Sequence, residues 1–182
     1  MRRIVISAVL ALLCVGVSQA QQTVEQHPGY FALESLDVFA SGKITVDVDL
    51  KDAMIKVAAA AASQQDPALA DLLDSVRRIR VRIGTLASED QAEVHAAVDR
   101  AVANLKDAGW APMATITDDD QVVYILSKAT SDRVQGLTAF VHDDDNELVL
   151  VNIAGDMDPV MIGQLISKLG GLEDFELPFD DG

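Results

Sequence analysis

The sequence predicts an α+β domain built on a single mixed sheet of about six strands with about four helices. Three observations predict it. Two segments, Ile44 to Leu50 and Arg78 to Ile83, alternate apolar and polar residues with the period of a half-buried strand. Helical patterns follow each of them. Four short β-rich runs separated by turn residues then fill residues 110–153. Helix-containing links lead out of the first two strands, so those strands are expected to run parallel, and the last four to form an antiparallel meander.

Residues 1–20 read as a secretory signal peptide. Arg2 and Arg3 open it, Ile4 to Val17 is apolar apart from Ser7 and Gly16, and Ser18, Gln19 and Ala20 form a small-residue cleavage site before Gln21. The apolar run is short for a membrane span, and no later run is longer. The expected location is therefore periplasmic or secreted, with no transmembrane segment in the mature chain. Cys14 is the single cysteine and leaves with the signal, which excludes disulfides, thiolate metal sites and cysteine nucleophiles from the mature protein.

An N-terminal arm, residues 21–43, carries the turn signal His27, Pro28, Gly29 and the apolar Tyr30, Phe31, Leu33, Leu36, Val38 and Phe39. The domain proper is expected over residues 44–170. In its first strand Ile44, Val46, Val48 and Leu50 share one face, and Thr45, Asp47 and Asp49 the other. An alanine-rich helix follows from Lys51 to Ser63, with Met54, Ile55, Ala58 and Ala62 at helical spacing. Asp66 and Pro67 read as the cap and first residue of a second helix carrying Leu69, Leu72, Leu73 and Val76.

The second strand sets Ile79, Val81 and Ile83 against Arg78, Arg80 and Arg82. Ser88 and Gln91 frame a capping box for a helix with Val94, Val98, Val102 and Leu105 inward, which Gly109 ends. The meander strands are expected at Trp110 to Ile116, Val122 to Lys128, Gly136 to His142 and Leu148 to Ile153. The second and fourth are apolar on both faces, so both are expected to be central and covered on both sides, one cover being open to a partner subunit. Asp158 and Pro159 start a last helix with Ile162, Leu165, Ile166 and Leu169 inward and Gly170 and Gly171 as its stop. An acidic tail, residues 171–182, sets Phe175, Leu177 and Phe179 two apart, as a docked segment or a loose end.

Charge narrows the partners. Losing Arg2 and Arg3 leaves 12 basic residues against 29 acidic ones and moves the formal charge from −15 to −17. Such a chain repels phosphate backbones, so nucleic acid is set aside. Four mature basic residues, Arg77, Arg78, Arg80 and Arg82, crowd one strand as an anion-binding stripe or as cross-strand partners of Asp47 and Asp49.

Two aspartate triplets are the candidate metal site. Asp118, Asp119 and Asp120 sit in one turn, and Asp143, Asp144 and Asp145 in another, two strands away at the same end of a meander. Calcium takes six to eight oxygens and suits such a set. The spacing is not that of an EF-hand, since Leu148 and Ala154 stand where that loop needs glycine and glutamate. Aspartate also stabilises turns by bonding to its own backbone. His27, His95 and His142 are scattered without zinc spacing, and no nucleophile elbow, phosphate loop or dinucleotide fingerprint occurs.

The segments from Asp66 to Leu73, Ile79 to Ile83, Ala108 to Trp110 and Leu150 to Pro159 occur in an order that resembles the exported bacterial proteins of domain-of-unknown-function family 4252. The most specific block is V-N-I-x-G-D-x-D: Val151, Asn152, Ile153, Gly155, Asp156 and Asp158. The resemblance implies one exported α+β domain in a bacterial envelope and no reaction, so Asn152, Gly155, Asp156 and Asp158 carry no transferred role. The leading expectation is a non-enzymatic module that binds an envelope protein or itself and holds no cofactor. A calcium-binding protein is the alternative. A hydrolase or lyase using carboxylates such as Asp156 is a third.

Overall fold

Six strands form one sheet in the order β1-β2-β6-β5-β4-β3, every neighbouring pair antiparallel. They are β1 (Lys43–Lys51), β2 (Val76–Thr85), β3 (Ala111–Thr117), β4 (Gln121–Ala129), β5 (Val134–Asp143) and β6 (Glu147–Met157). Four helices accompany them: α1 (Asp52–Ala62), α2 (Pro67–Ser75), α3 (Gln91–Asp107) and α4 (Pro159–Lys168). The structure is a computed structural model describing residues 23–33, 42–85, 91–118, 121–143 and 147–168. The expected signal segment 1–20, Ser88 of the expected capping box, Asp119, Asp120, Asp144 and Asp145, residues 34–41 of the expected arm and the expected tail 171–182 lie outside the described residues.

The α+β class and the β3–β6 meander are as expected, but the sheet is antiparallel throughout. The reason is the number of helices in each link. Two helices carry the chain out from the end of β1 and back to that same end, so β2 returns alongside β1 antiparallel. The single helix α3 makes a true crossover, and β3 does run in the direction of β2, at the opposite edge of the sheet.

Local chemistry sets the helix ends. The Asp66 side chain accepts from the Leu69 amide at 3.1 Å, and Pro67 opens α2. Asp158 accepts from the Val160 amide at 2.8 Å and starts α4. Past α3, Trp110 N donates to Leu105 O and Gly109 N to Lys106 O, a Schellman pair in which Gly109 takes φ +82°. Trp110, expected above as the first residue of a strand, is therefore no strand residue but a side chain folded back into the α3 core. In α1 the buried pair is Ile55 and Ala59, while Met54 is exposed. A run of alanines leaves the apolar stripe weakly defined, and the helix turned by about one residue from its expected orientation.

The sheet has two unlike faces. On the first, α3 lays Val94, Val98, Ala101, Val102 and Leu105 over Leu126, Phe140, Leu148 and Leu150. Phe140 is 1 % exposed, and Leu148 and Leu150 are 0 %. The arm completes this face: Leu33 joins the cluster, and Phe31 meets Phe140 edge to face at 6.1 Å.

On the second face α1, α2 and α4 gather at one end, around Ile55, Leu72, Val76, Met157 and Ile162. Further along, described elements leave the sheet open. Val46 of β1 is 38 % exposed and Ile116 of β3 is 45 % exposed, so the expectation that alternation buries β1 fails for Ile44 and Val46. The expected cover on both faces is complete on one side of β6 only: Val123, Ile125, Val149 and Val151 stay partly exposed, and so do Val122 and Tyr124 on the α3 side of β4.

Candidate functional sites

The family-like block on β6 is a clasp. Asn152, 1 % exposed, holds the arm from beneath. Its Nδ2 donates to Gly29 O at 3.1 Å and to Leu137 O at 3.2 Å, and its Oδ1 accepts from Phe31 N at 3.2 Å. One amide thus satisfies backbone groups from two elements, which a buried amide must do or cost stability. Gly29 and Gly136 lie back to back: a Cβ on Gly136 would stand 2.5 Å from Gly29 Cα and 2.7 Å from the Trp110 ring. Gly155 passes just as tightly under the α2–β2 junction, where a Cβ would come within 2.4 Å of Ser75 O.

Asp156 is the outer part of the clasp. Its Oδ2 accepts from Arg77 at 3.1 Å, and its Oδ1 lies 3.5 Å from His27 Nε2. His27 Nδ1 in turn accepts from the Gly29 amide at 3.2 Å. Both imidazole nitrogens are therefore engaged within the fold, and neither is presented to a substrate. A 280 Å³ hollow beside Asp156 is lined by Asp52, Lys56, Asp74 and Arg77 among others, a mixed-charge rim. With Asp158 capping α4, the block ties arm, α2 and α4 to one strand.

The arginines are paired and lie under cover. Arg78 bonds Asp49 at 2.7 and 3.1 Å, Arg80 bonds Asp47, and Arg82 reaches Asp47 at 3.2 Å. The cross-strand partners are those expected, but the face is not an outer one. The arm lies over it, with Tyr30 5.0 Å from the Arg78 guanidinium carbon. The hydrogen bond from Arg80 holds the Asp47 carboxyl below its ordinary value. Burial pushes Asp49 up, but the Arg78 bond and charge outweigh it and leave it lowered as well.

The aspartate turns stand at the same end of the sheet, as expected of a meander. The Asp118 amide donates to Gln121 O at 2.9 Å, and Gln121 pairs with Asp143 across β4 and β5. Asp143 accepts from the Glu147 amide at 2.9 Å, the local turn bond that aspartate favours. Among the described residues no three potential ligands cluster as a metal site. The fold also joins two histidines that sequence spacing keeps apart. His95 and His142 meet edge to face at 4.6 Å, at the rim of the α3 core.

The site that residue-by-residue reading missed is a groove on the open face. It holds about 420 Å³ and runs across β3, β4, β5 and β6 beside Ile162 of α4. Met113, Ile116, Val123, Ile125, Val151 and Ile153 dominate its described lining, with Gln121 and Thr138 the polar exceptions. No described lining residue is titratable. Its signal was the double apolarity of β4 and β6, which called for a second cover.

Clasp and groove together describe an α+β domain whose described residues seal one side of the sheet and leave much of the other open. The chain belongs to the domain of unknown function family DUF4252, whose model matches residues 39–165. Neither the curated proteins nor the solved structures contain a match to it.

Proposed function

We propose that this is an exported cell-envelope domain that works by binding protein, with no reaction of its own, and that the groove on the open sheet face is its binding surface. The groove carries the reading. Its volume lies in the range of about 300–1,000 Å³ typical of ligand sites, and its described walls offer apolar contact with the Gln121 side chain to orient an occupant. An extended segment with apolar side chains on alternate positions suits such a surface, because one of its sides can be wholly buried while the other stays in water. Export rests on residues 1–20, and the absence of any helix long and apolar enough to cross a membrane, among the described residues, is compatible with it.

Two measurements test this. Mass spectrometry of the protein from a periplasmic or culture fraction should find Gln21 at its N-terminus; an intact residue 1 in the cytoplasm rejects export. A photo-reactive side chain placed at Ile116 should cross-link an envelope protein through an extended apolar segment, one placed at Glu93 on α3 should not, and Ile125→Asp should abolish the product. Equal products from both positions reject the groove.

Calcium is the second reading, favoured by the shared end of the β3–β4 and β5–β6 turns. Calorimetry with millimolar calcium decides it: heat and a thermal shift lost in Asp118→Asn support a site, and their absence removes it.

A further inference from the structure

The groove needs an occupant, and the chain itself carries a matching segment just beyond the described residues. We propose that residues 172–179 of the same chain seat in the groove and act as a built-in competitor for whatever binds there, an inference that rests on the groove being a binding surface. Connectivity comes first. Ile162 of α4 forms part of the groove wall, and the described part of α4 runs to Lys168, six residues or about 9 Å further along the helix. Fourteen residues then remain, an extended reach of up to about 50 Å, several times what the groove requires.

Pattern comes second. Phe175, Leu177 and Phe179 alternate with Glu176 and Pro178. In an extended chain the three apolar side chains point to one side over about 13 Å. The groove crosses four strands, three spacings of about 4.8 Å, so the two lengths agree. Pro178 lacks an amide hydrogen and is poorly suited to an inner strand of a sheet, but it fits a segment lying across a sheet face.

Charge comes third. Glu173, Asp174, Glu176, Asp180 and Asp181 must stay in water, and an open groove permits that. Its described lining holds no carboxylate to repel them. A second copy of this acidic chain would bring its whole negative charge to the same surface, whereas the tail is already tethered. Tethering within one chain supplies an effective concentration on the order of 1 mM. If the segment alone binds with a dissociation constant on the order of 0.1 mM, the groove is closed about ten times more often than open.

The test uses residues 21–182, which hold every described element and no thiol. Nile red, a neutral apolar dye, is titrated into this chain and into its Phe175→Asp, Leu177→Asp, Phe179→Asp triple variant. The apparent dissociation constant should fall about tenfold in the variant. A synthetic peptide of residues 171–182 should raise it again. In parallel, Leu177→Cys combined with Ile125→Cys should oxidise to a monomeric disulfide, and Leu177→Cys combined with Glu93→Cys on the sealed face should not. Equal dye affinities with no disulfide preference overturn the self-occupancy, and so do disulfides that form only between chains. If Ile125→Asp abolishes dye binding in the parent and the triple variant alike, with equal affinities before the change, the groove stands and the tail proposal falls. If Ile125→Asp changes nothing in the triple variant, the groove reading itself falls.

Discussion

One sheet presents two faces rich in apolar side chains with different fates. On the sealed face, Phe140, Leu148 and Leu150 lie under α3 and the arm. On the open face, Val149 and Val151 of the same strand β6 are only half-buried, although Val141 beside them on β5 is buried. Hydrophobicity alone does not separate them. What differs is the anchoring: the sealed face has Asn152, the Gly29–Gly136 contact and the paired arginines to fix its cover, while α1, α2 and α4 gather at one end of the other. The described anchors are concentrated on one side, and the other carries the groove proposed above as the binding surface.

The contrast is most easily broken from the sealed side. Phe140→Ala should cost about 3–5 kcal/mol in chemical denaturation, because a fully buried ring leaves a cavity. Ile125→Ala, on the opposite side of the neighbouring strand β4 and half-buried, should cost about half as much or less. Equal costs would mean that the open face is sealed as well.

Next in size is the clasp. Asn152→Leu removes three hydrogen bonds and strands buried backbone groups, for about 1–3 kcal/mol. Hydrogen exchange should accelerate at Phe31 before it does in α3. Gly136→Ala should release the arm in the same way, since its Cβ meets backbone on one side and Trp110 on the other.

The acid dependence is smaller. Asp47 and Asp49 are lowered below the ordinary 3.8 in the folded protein, so their contribution is present above about pH 4 and is lost as pH falls through their folded values. Asp47→Asn together with Asp49→Asn should lower stability at pH 7 by about 0.2–1 kcal/mol per pair and flatten the loss below pH 4. Denaturation midpoints at pH 7 and pH 3 check it; an unchanged acid slope would show that the carboxylates do not hold β1 to β2. Smallest of all, Ile116→Lys at the exposed rim should change stability by no more than about 0.5 kcal/mol.

Much of this architecture is legible in the sequence because its causes are local. Asp66 and Asp158 announce helix starts through their own side chains, Gly109 announces a stop, and Arg80 and Arg82 alternating with Val81 announce a strand with acidic neighbours. What stayed hidden depends on distance. Phe31 and Asn152 are 121 positions apart, so nothing local reveals that one amide holds the arm. The direction of β2 depends on α1 and α2 packing as a returning pair, which periodicity does not encode. The groove exists because three helices share one end of a six-stranded face, a matter of geometry rather than of residue type.

The central claim is that the open face, and not the clasp, is where this protein binds. Isoleucine-methyl NMR of residues 21–182 carrying the tail triple variant, titrated with Nile red, tests it most directly. The account predicts shifts at Ile116, Ile125, Ile153 and Ile162, all groove residues, with Ile55 of α1 unmoved. Shifts centred on Ile55, or an unperturbed spectrum at saturating dye, would contradict it.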